Sequence, residues 1–220
     1  MQLCFRKTQL RLLLVVPAVL GLASTLQAAD PAREISIFDG KTFAGWEGDL
    51  GKTWRIEDGA AVGGSLEVQV PHNEFLRTQR SYTNFVLRLQ FRLLGSEGFV
   101  NAGVQVRSSP VENPPYELSG YQCDMGDGWW GALYDESRRN KVLVKPDEEA
   151  VKKAVKTGEW NNYLIRCEGK RIRSWINGVA MIDYVEPDDS IPRHGIIGLQ
   201  IHGGGKGEAW YKDIRIEELP

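Results

Sequence analysis

Residues 85–94 read Phe85-Val86-Leu87-Arg88-Leu89-Gln90-Phe91-Arg92-Leu93-Leu94. Phe85, Leu87, Leu89, Phe91 and Leu93 fall on one side of an extended chain, with Arg88, Gln90 and Arg92 on the other. Side chains of a strand alternate faces, so this stretch predicts a strand with one buried and one wet face. Gly95–Gly98 reads as the turn that ends it. Asn101–Arg107 repeats the pattern, Val104 and Val106 opposing Gln105 and Arg107.

The same period spreads in both directions. Trp54–Glu57 and Ala60–Val62 flank Asp58-Gly59, a two-residue hairpin signal. Gly120–Met125 sets Tyr121 and Cys123 against Gln122 and Asp124. Trp160–Glu168, Arg171–Ile176 and Val179–Tyr184 are separated by Glu168-Gly169-Lys170 and Asn177-Gly178. Gly195–His202 and Glu208–Glu217 complete the set, with Gly203–Gly207 as a flexible link. Ser108–Ser119 holds three prolines and reads as a loop, and Asp135–Asn140 as a polar loop of mixed charge. One helix is expected over Pro146–Thr157: acids at 147–149 precede Lys152, Lys153 and Lys156, and Gly158 follows. About a dozen short strands and one short surface helix predict an all-β sandwich.

Residues 1–29 read as a secretory signal peptide. Arg6, Lys7 and Arg11 precede an apolar run to Leu22, and small residues lead to Ala28 and Ala29. Residues 30–220 then read as a single exported domain, periplasmic or secreted. Removing the leader leaves 24 basic against 29 acidic side chains, a net charge of −5. No basic block remains, which argues against nucleic acid, and no second apolar span, which argues against a membrane span in the mature chain. Cys123 and Cys167 could pair in an oxidising compartment or stay apart as small buried residues.

Four strands carry long polar residues two apart: Arg88/Gln90/Arg92, Gln105/Arg107, Gln122/Asp124 and Gln200/His202. If these strands are neighbours, the residues share one polar sheet face. Trp129 and Trp130, in a Gly-flanked turn, would form its rim. Amides, guanidinium and carboxylate groups fix sugar hydroxyls, and indole rings offer an apolar surface to a pyranose, so the pattern points to carbohydrate. Trp46, Trp54, Trp160 and Trp210 lie in apolar patterns and read as core. The chain lacks G-x-S-x-G, H-E-x-x-H, P-loop and dinucleotide fingerprints. No cofactor is demanded. Asp124 and His202 leave a divalent cation open without forming a ligand set.

Six ordered segments carry a resemblance: IFDGKTFAGWEG, WRIEDGAAVGG, NAGVQVRS, GYQCDMGDGWWGALYDESRRN, EWNNYLIRCEGKRIRSWINGV and GIIGLQIHGGGKGEAWYKDIRI. Together they resemble the 3-keto-disaccharide hydrolase domain family, from about Ile35 to Glu217. The resemblance implies a concanavalin A-like jelly-roll sandwich that cleaves glycosides oxidised to a ketone at C3. Such a ketone acidifies the C2 proton; its removal, loss of the C1 substituent and addition of water complete the reaction. On this resemblance Asp124 or His202 is the base, Arg107 and Gln122 bind oxyanion or hydroxyl, and Tyr134 or His202 protonates the leaving oxygen. Gln105, Gln200 and Arg92 join the substrate face, and Trp129 and Trp130 stack sugar. Members of the family often carry Glu where this chain has Gln122, so its part falls to Asp124 or His202. A non-catalytic carbohydrate-binding module is the alternative reading.

Overall fold

A computed structural model describes residues 34–220, together with Met1. The leader expected over residues 1–29 lies outside the described residues. From Glu34 the chain forms β1 (Ile35–Ser36), β2 (Trp46–Glu47), β3 (Trp54–Glu57), β4 (Ala60–Ser65) and β5 (Glu74–Thr78). The long strands β6 (Phe85–Gly98), β7 (Asn101–Pro110) and β8 (Leu118–Gly126) follow, then β9 (Leu133–Glu136) and β10 (Lys141–Val144). After α1 (Glu148–Ala154) come β11 (Asn161–Glu168), β12 (Arg171–Ile176), β13 (Val179–Val185), β14 (Ile196–Ile201) and β15 (Gly205–Glu218).

The strands form two antiparallel sheets. The first runs β13-β12-β11-β6-β15-β4-β3, with β1 added beside β15; the second runs β10-β9-β8-β7-β14-β5-β2. This is the expected jelly-roll sandwich. Its core is the set of alternate residues pointing between the sheets: Leu87, Leu89 and Phe91 from β6 meet Val104, Val106, Cys123 and Leu199. Cys123 and Cys167 are both buried there and unbridged. The two predicted hairpins close as expected, because Asp58-Gly59 and Asn177-Gly178 all take positive φ, the geometry of a type I′ turn.

Three local expectations change. Gly95–Gly98 is not a turn: β6 continues through it and pairs with Gly205–Gly207, which is strand rather than flexible link. At Gly95, with φ +124, a Cβ would stand 2.4 Å from the Lys206 carbonyl oxygen, so glycine permits this close pairing. The helix is shorter than predicted. Asp147 caps it, accepting from the Glu149 amide, but Val155 is already extended. Asn161 accepts from the Lys156 amide, while Asn177 donates to the Ala154 carbonyl, and these bonds end the helix before Gly158. The polar loop is also shorter, since Asp135 and Glu136 belong to β9.

Candidate functional site

The centre of the second sheet is β9-β8-β7-β14, and its outward face carries the polar side chains. Cross-strand register aligns Tyr134 with Gln122, Gln122 with Gln105, Asp124 with Gly103, and Gly103 with Gln200. Gly103 matters for a steric reason. A Cβ there would lie 2.7 Å from Gln122 Cγ. Its absence lets Gln122 lie across β7, where Nε2 donates to Gln200 Oε1 at 3.0 Å and to Asp124 Oδ1 at 2.8 Å. Gln105 donates to Gln122 Oε1 at 3.3 Å. Three glutamines and one aspartate thus form one buried network.

The network ends in unpaired atoms. Asp124 Oδ2, Gln200 Nε2 and Gln105 Oε1 are buried without a partner. A buried polar atom left unpaired costs about 1–3 kcal/mol, so such a cluster marks a site. Asp124 is 3 % exposed. Burial pushes its carboxyl up from 3.8 to about 8, against the opposing hydrogen bond from Gln122. The group therefore holds a proton at neutral pH.

Above the network lies a cavity of ≈130 Å³, lined by Phe99, Asn101, Gln122, Asp124, Trp129, Tyr134, Glu136 and His202. His202 Nδ1 donates to the Gly203 carbonyl at 2.6 Å, which leaves Nε2 as the lone-pair nitrogen. Phe99 meets the His202 ring edge-on, at 4.7 Å between centroids. Trp129 meets Tyr134 in the same way at 6.0 Å, and Lys145 sits 5.1 Å from the Trp129 ring centroid. Burial raises the Glu136 carboxyl to about 7, helped by the charges of Glu117 and Asp135. Burial also raises the Tyr134 phenol, so it is a neutral donor.

Of the residues picked from sequence, Gln122, Asp124, Trp129, Tyr134 and His202 come together around this cavity. Gln105 and Gln200 lie in the network beneath, fully buried, where they hold Gln122 rather than reach a ligand. Phe75, Leu118 and Ile196 form an apolar cluster on that part of the sheet, and Gln105 also donates to the Leu118 carbonyl.

Three expected members are elsewhere. Arg107 takes φ +52 at the irregularity in β7, and its guanidinium donates to the Thr83 and Gly169 carbonyls and to Asn84. It ties loops together and is not on the polar face. Arg92 belongs to the first sheet with Arg88 and Gln90, so the four polar strands do not share one face. Its guanidinium carbon stands 4.4 Å from the Trp210 ring centroid and 4.9 Å from that of Trp160. Trp130 turns inward and stacks on Phe91 at 6.3 Å, packed against the core. Only one indole of the pair is left for the rim.

Glu136, Phe99 and Asn101 are the members that sequence reasoning missed as site residues. Period two across Leu133–Glu136 sends Leu133 and Asp135 inward, Tyr134 and Glu136 outward. Asp135 instead bonds Arg138 and Arg139, and Arg139 continues to Glu186. Among the described residues no three His, Cys, Asp or Glu side chains are grouped to hold a metal ion.

Solved structures share this fold at low identity. A proposed glycosyl hydrolase from Parabacteroides distasonis superposes with TM-score 0.62 at 20% identity, over 85% of this chain and 100% of that one. The carbohydrate-binding module CBM66 from Bacillus subtilis gives TM-score 0.60 at 15% identity, over 79% and 96%. A Bacillus subtilis protein with a galectin-like fold gives 0.54 at 9%, over 80% and 90%. No curated protein matches the chain. Residues 33–217 match the model of the 3-keto-alpha-glucoside-1,2-lyase-like domain, and the chain belongs to that family.

Proposed function

We propose that the protein cleaves glycosides whose sugar carries a ketone at C3, by loss of the C2 proton followed by expulsion of the C1 substituent. The observation that carries this reading is a buried Asp124 whose Oδ2 has no partner, in one cavity with His202, whose Nδ1 is held by the Gly203 carbonyl. Membership of the family supports a carbohydrate-related function. The leader read in residues 1–29 makes it an exported enzyme in this proposal.

The steps follow from the protonation states. A C3 carbonyl delocalises the electron pair left at C2, so the C2–H bond is acidic. His202 Nε2 takes that proton. The enolate oxygen accepts hydrogen bonds from Asp124 Oδ2–H and the Tyr134 hydroxyl, donors fixed before the charge develops. The pair then forms the C1–C2 double bond as the C1–O bond breaks. The leaving oxygen takes a proton from Glu136, whose carboxyl near 7 is half protonated at neutral pH. Water adds next: its oxygen bonds C1, its proton restores Glu136, and His202, whose N–H exchanges with solvent after the elimination, delivers a proton to C2. The sum is glycoside plus water to 3-keto sugar plus alcohol, with no oxidant consumed. In this proposal Asp124 is a donor and His202 the base, a division that their hydrogen bonding supports.

The test is release of a chromophore from a 3-keto-glucoside and from its unoxidised parent. Release from the keto form alone is expected, with His202→Ala lowering the rate about 10²–10⁴-fold and Asp124→Leu, which removes the enolate donor, about 10²–10³-fold. Equal cleavage of both substrates, or unchanged rates in both variants, refutes the proposal. Gln122, where the family pattern has a carboxylate, favours the second reading of a binding module. Binding of unoxidised polysaccharide with no turnover of keto substrates would support it.

A further inference from the structure

The outward face of the first sheet carries a second groove, on the opposite sheet from the Asp124 cavity. Cross-strand register sets Trp175, Leu164 and Arg88 in one row across β12, β11 and β6, and Asn162 beside Gln90 in another row. These residues floor a cavity of ≈660 Å³, against ≈130 Å³ at the Asp124 site. Trp175 and Leu164 are only half-buried, an apolar strip on an otherwise polar face.

One wall has a definite origin. Between Lys212 and Arg215, β15 slips register against β6, and the bulge includes Asp213 at φ +52. A non-glycine residue in the left-handed region is uncommon, and bulges often serve to re-aim a side chain beside a site. Asp213 lines the groove. At its floor Gln90 Nε2 donates to Asn162 Oδ1 at 3.2 Å. The pair keeps one N–H on Gln90, both on Asn162 and the Gln90 oxygen for hydroxyl groups.

Charge selects the ligand class. Arg88 already meets Glu34 and Glu217 at 3.3 Å, and Arg166 and Arg173 share one oxygen of Glu168. Three guanidinium groups facing three carboxylates leave no net attraction for an anion, while their hydrogen-bonding edges remain. We propose that this groove binds a neutral oligosaccharide. Trp175 stacks on a pyranose, and Gln90 and Asn162 bond its hydroxyls. Its size suits several sugar rings, so it holds glycan chains apart from the small Asp124 cavity.

The experiment is calorimetric binding of maltohexaose, cellohexaose and tri-galacturonate at low and high salt. The intact protein, Trp175→Ala, Gln90→Ala and Trp129→Ala are compared, with circular dichroism as the folding check. At least one neutral hexaose is expected to bind with little salt dependence. Trp175→Ala weakens it roughly ten- to thirtyfold, the scale of a lost aromatic anchor. Gln90→Ala weakens it several-fold, and stands as the test should Trp175→Ala not fold. Trp129→Ala leaves this binding intact, and Trp175→Ala leaves turnover of a 3-keto-glucoside intact. No binding of either neutral hexaose, binding unchanged in the folded groove variants, or binding lost with Trp129 overturns the proposal. Salt-sensitive binding of tri-galacturonate alone overturns the neutral class. Failure of 3-keto turnover in the intact protein would count against the reaction proposed above and leave these binding outcomes decisive.

Discussion

Asp124→Asn should make the protein more stable, and increasingly so as the pH rises. The carboxyl is 3 % exposed, and burial raises it from 3.8 to about 8. Between those values the unfolded chain has released the proton and the folded chain has kept it. Stability therefore falls with rising pH, by ~1.4 kcal/mol per pH unit for one proton. Over the whole interval the loss is on the order of 5 kcal/mol, complete once the folded state also ionises near pH 8. Asparagine keeps the shape, accepts from Gln122 through its oxygen and does not titrate. Urea unfolding of both proteins at several pH values, followed by tryptophan fluorescence, gives the difference directly, because titrations common to both cancel. The two should be close at pH 4 and diverge up to pH 8, with Asn the more stable. A flat difference, or wild type gaining on the variant as pH rises, would refute the protonated, buried carboxyl and with it the donor role.

Turnover of a 3-keto-glucoside should fall as pH rises through about 7 to 8, since first Glu136, which protonates the leaving oxygen, and then Asp124, which donates to the enolate, ionises; a rate rising there would mean that Asp124 acts as base. Trp130→Ala should cost about 3 kcal/mol in urea unfolding, as a large side chain removed from packing on Phe91, with little change in KM. Trp129→Ala should do the reverse, raising KM about tenfold at near-constant stability. Arg107→Ala should destabilise by about 3 kcal/mol, because it strips donors from the Thr83 and Gly169 carbonyls. Its kcat/KM in the folded protein should stay near wild type.

Period two made the sandwich legible, because a strand that buries one face must alternate, and Leu87–Leu93 does so without a break. The same rule correctly put Gln122 and Asp124 on one face of β8, and Gln200 on one face of β14. It failed where the question was which strands are neighbours. Arg92 and Gln122 obey the same parity, yet they sit on different sheets, and no alternation pattern encodes that order. Arg107 shows a second limit. Its parity matches Gln105, but the backbone irregularity beside it re-aims the side chain toward Thr83 and Gly169. Trp130 is a third case, since composition cannot tell which of two adjacent indoles turns inward. Glu136 was within reach, had the alternation of Leu133 and Asp135 been extended by one residue. The Gln122 path across Gly103 was not, because it depends on a missing Cβ on a neighbouring strand.

The central claim is that the glycosidic bond breaks after the C2 proton is lost to His202. Incubating the protein with a 3-keto-glucoside in deuterium oxide and following the products by proton and carbon NMR tests it directly. The account predicts release of the alcohol together with 3-keto-glucose carrying deuterium at C2, and loss of both release and labelling in His202→Ala. Alcohol released with protium retained at C2, under conditions where the free keto sugar does not exchange, would contradict it.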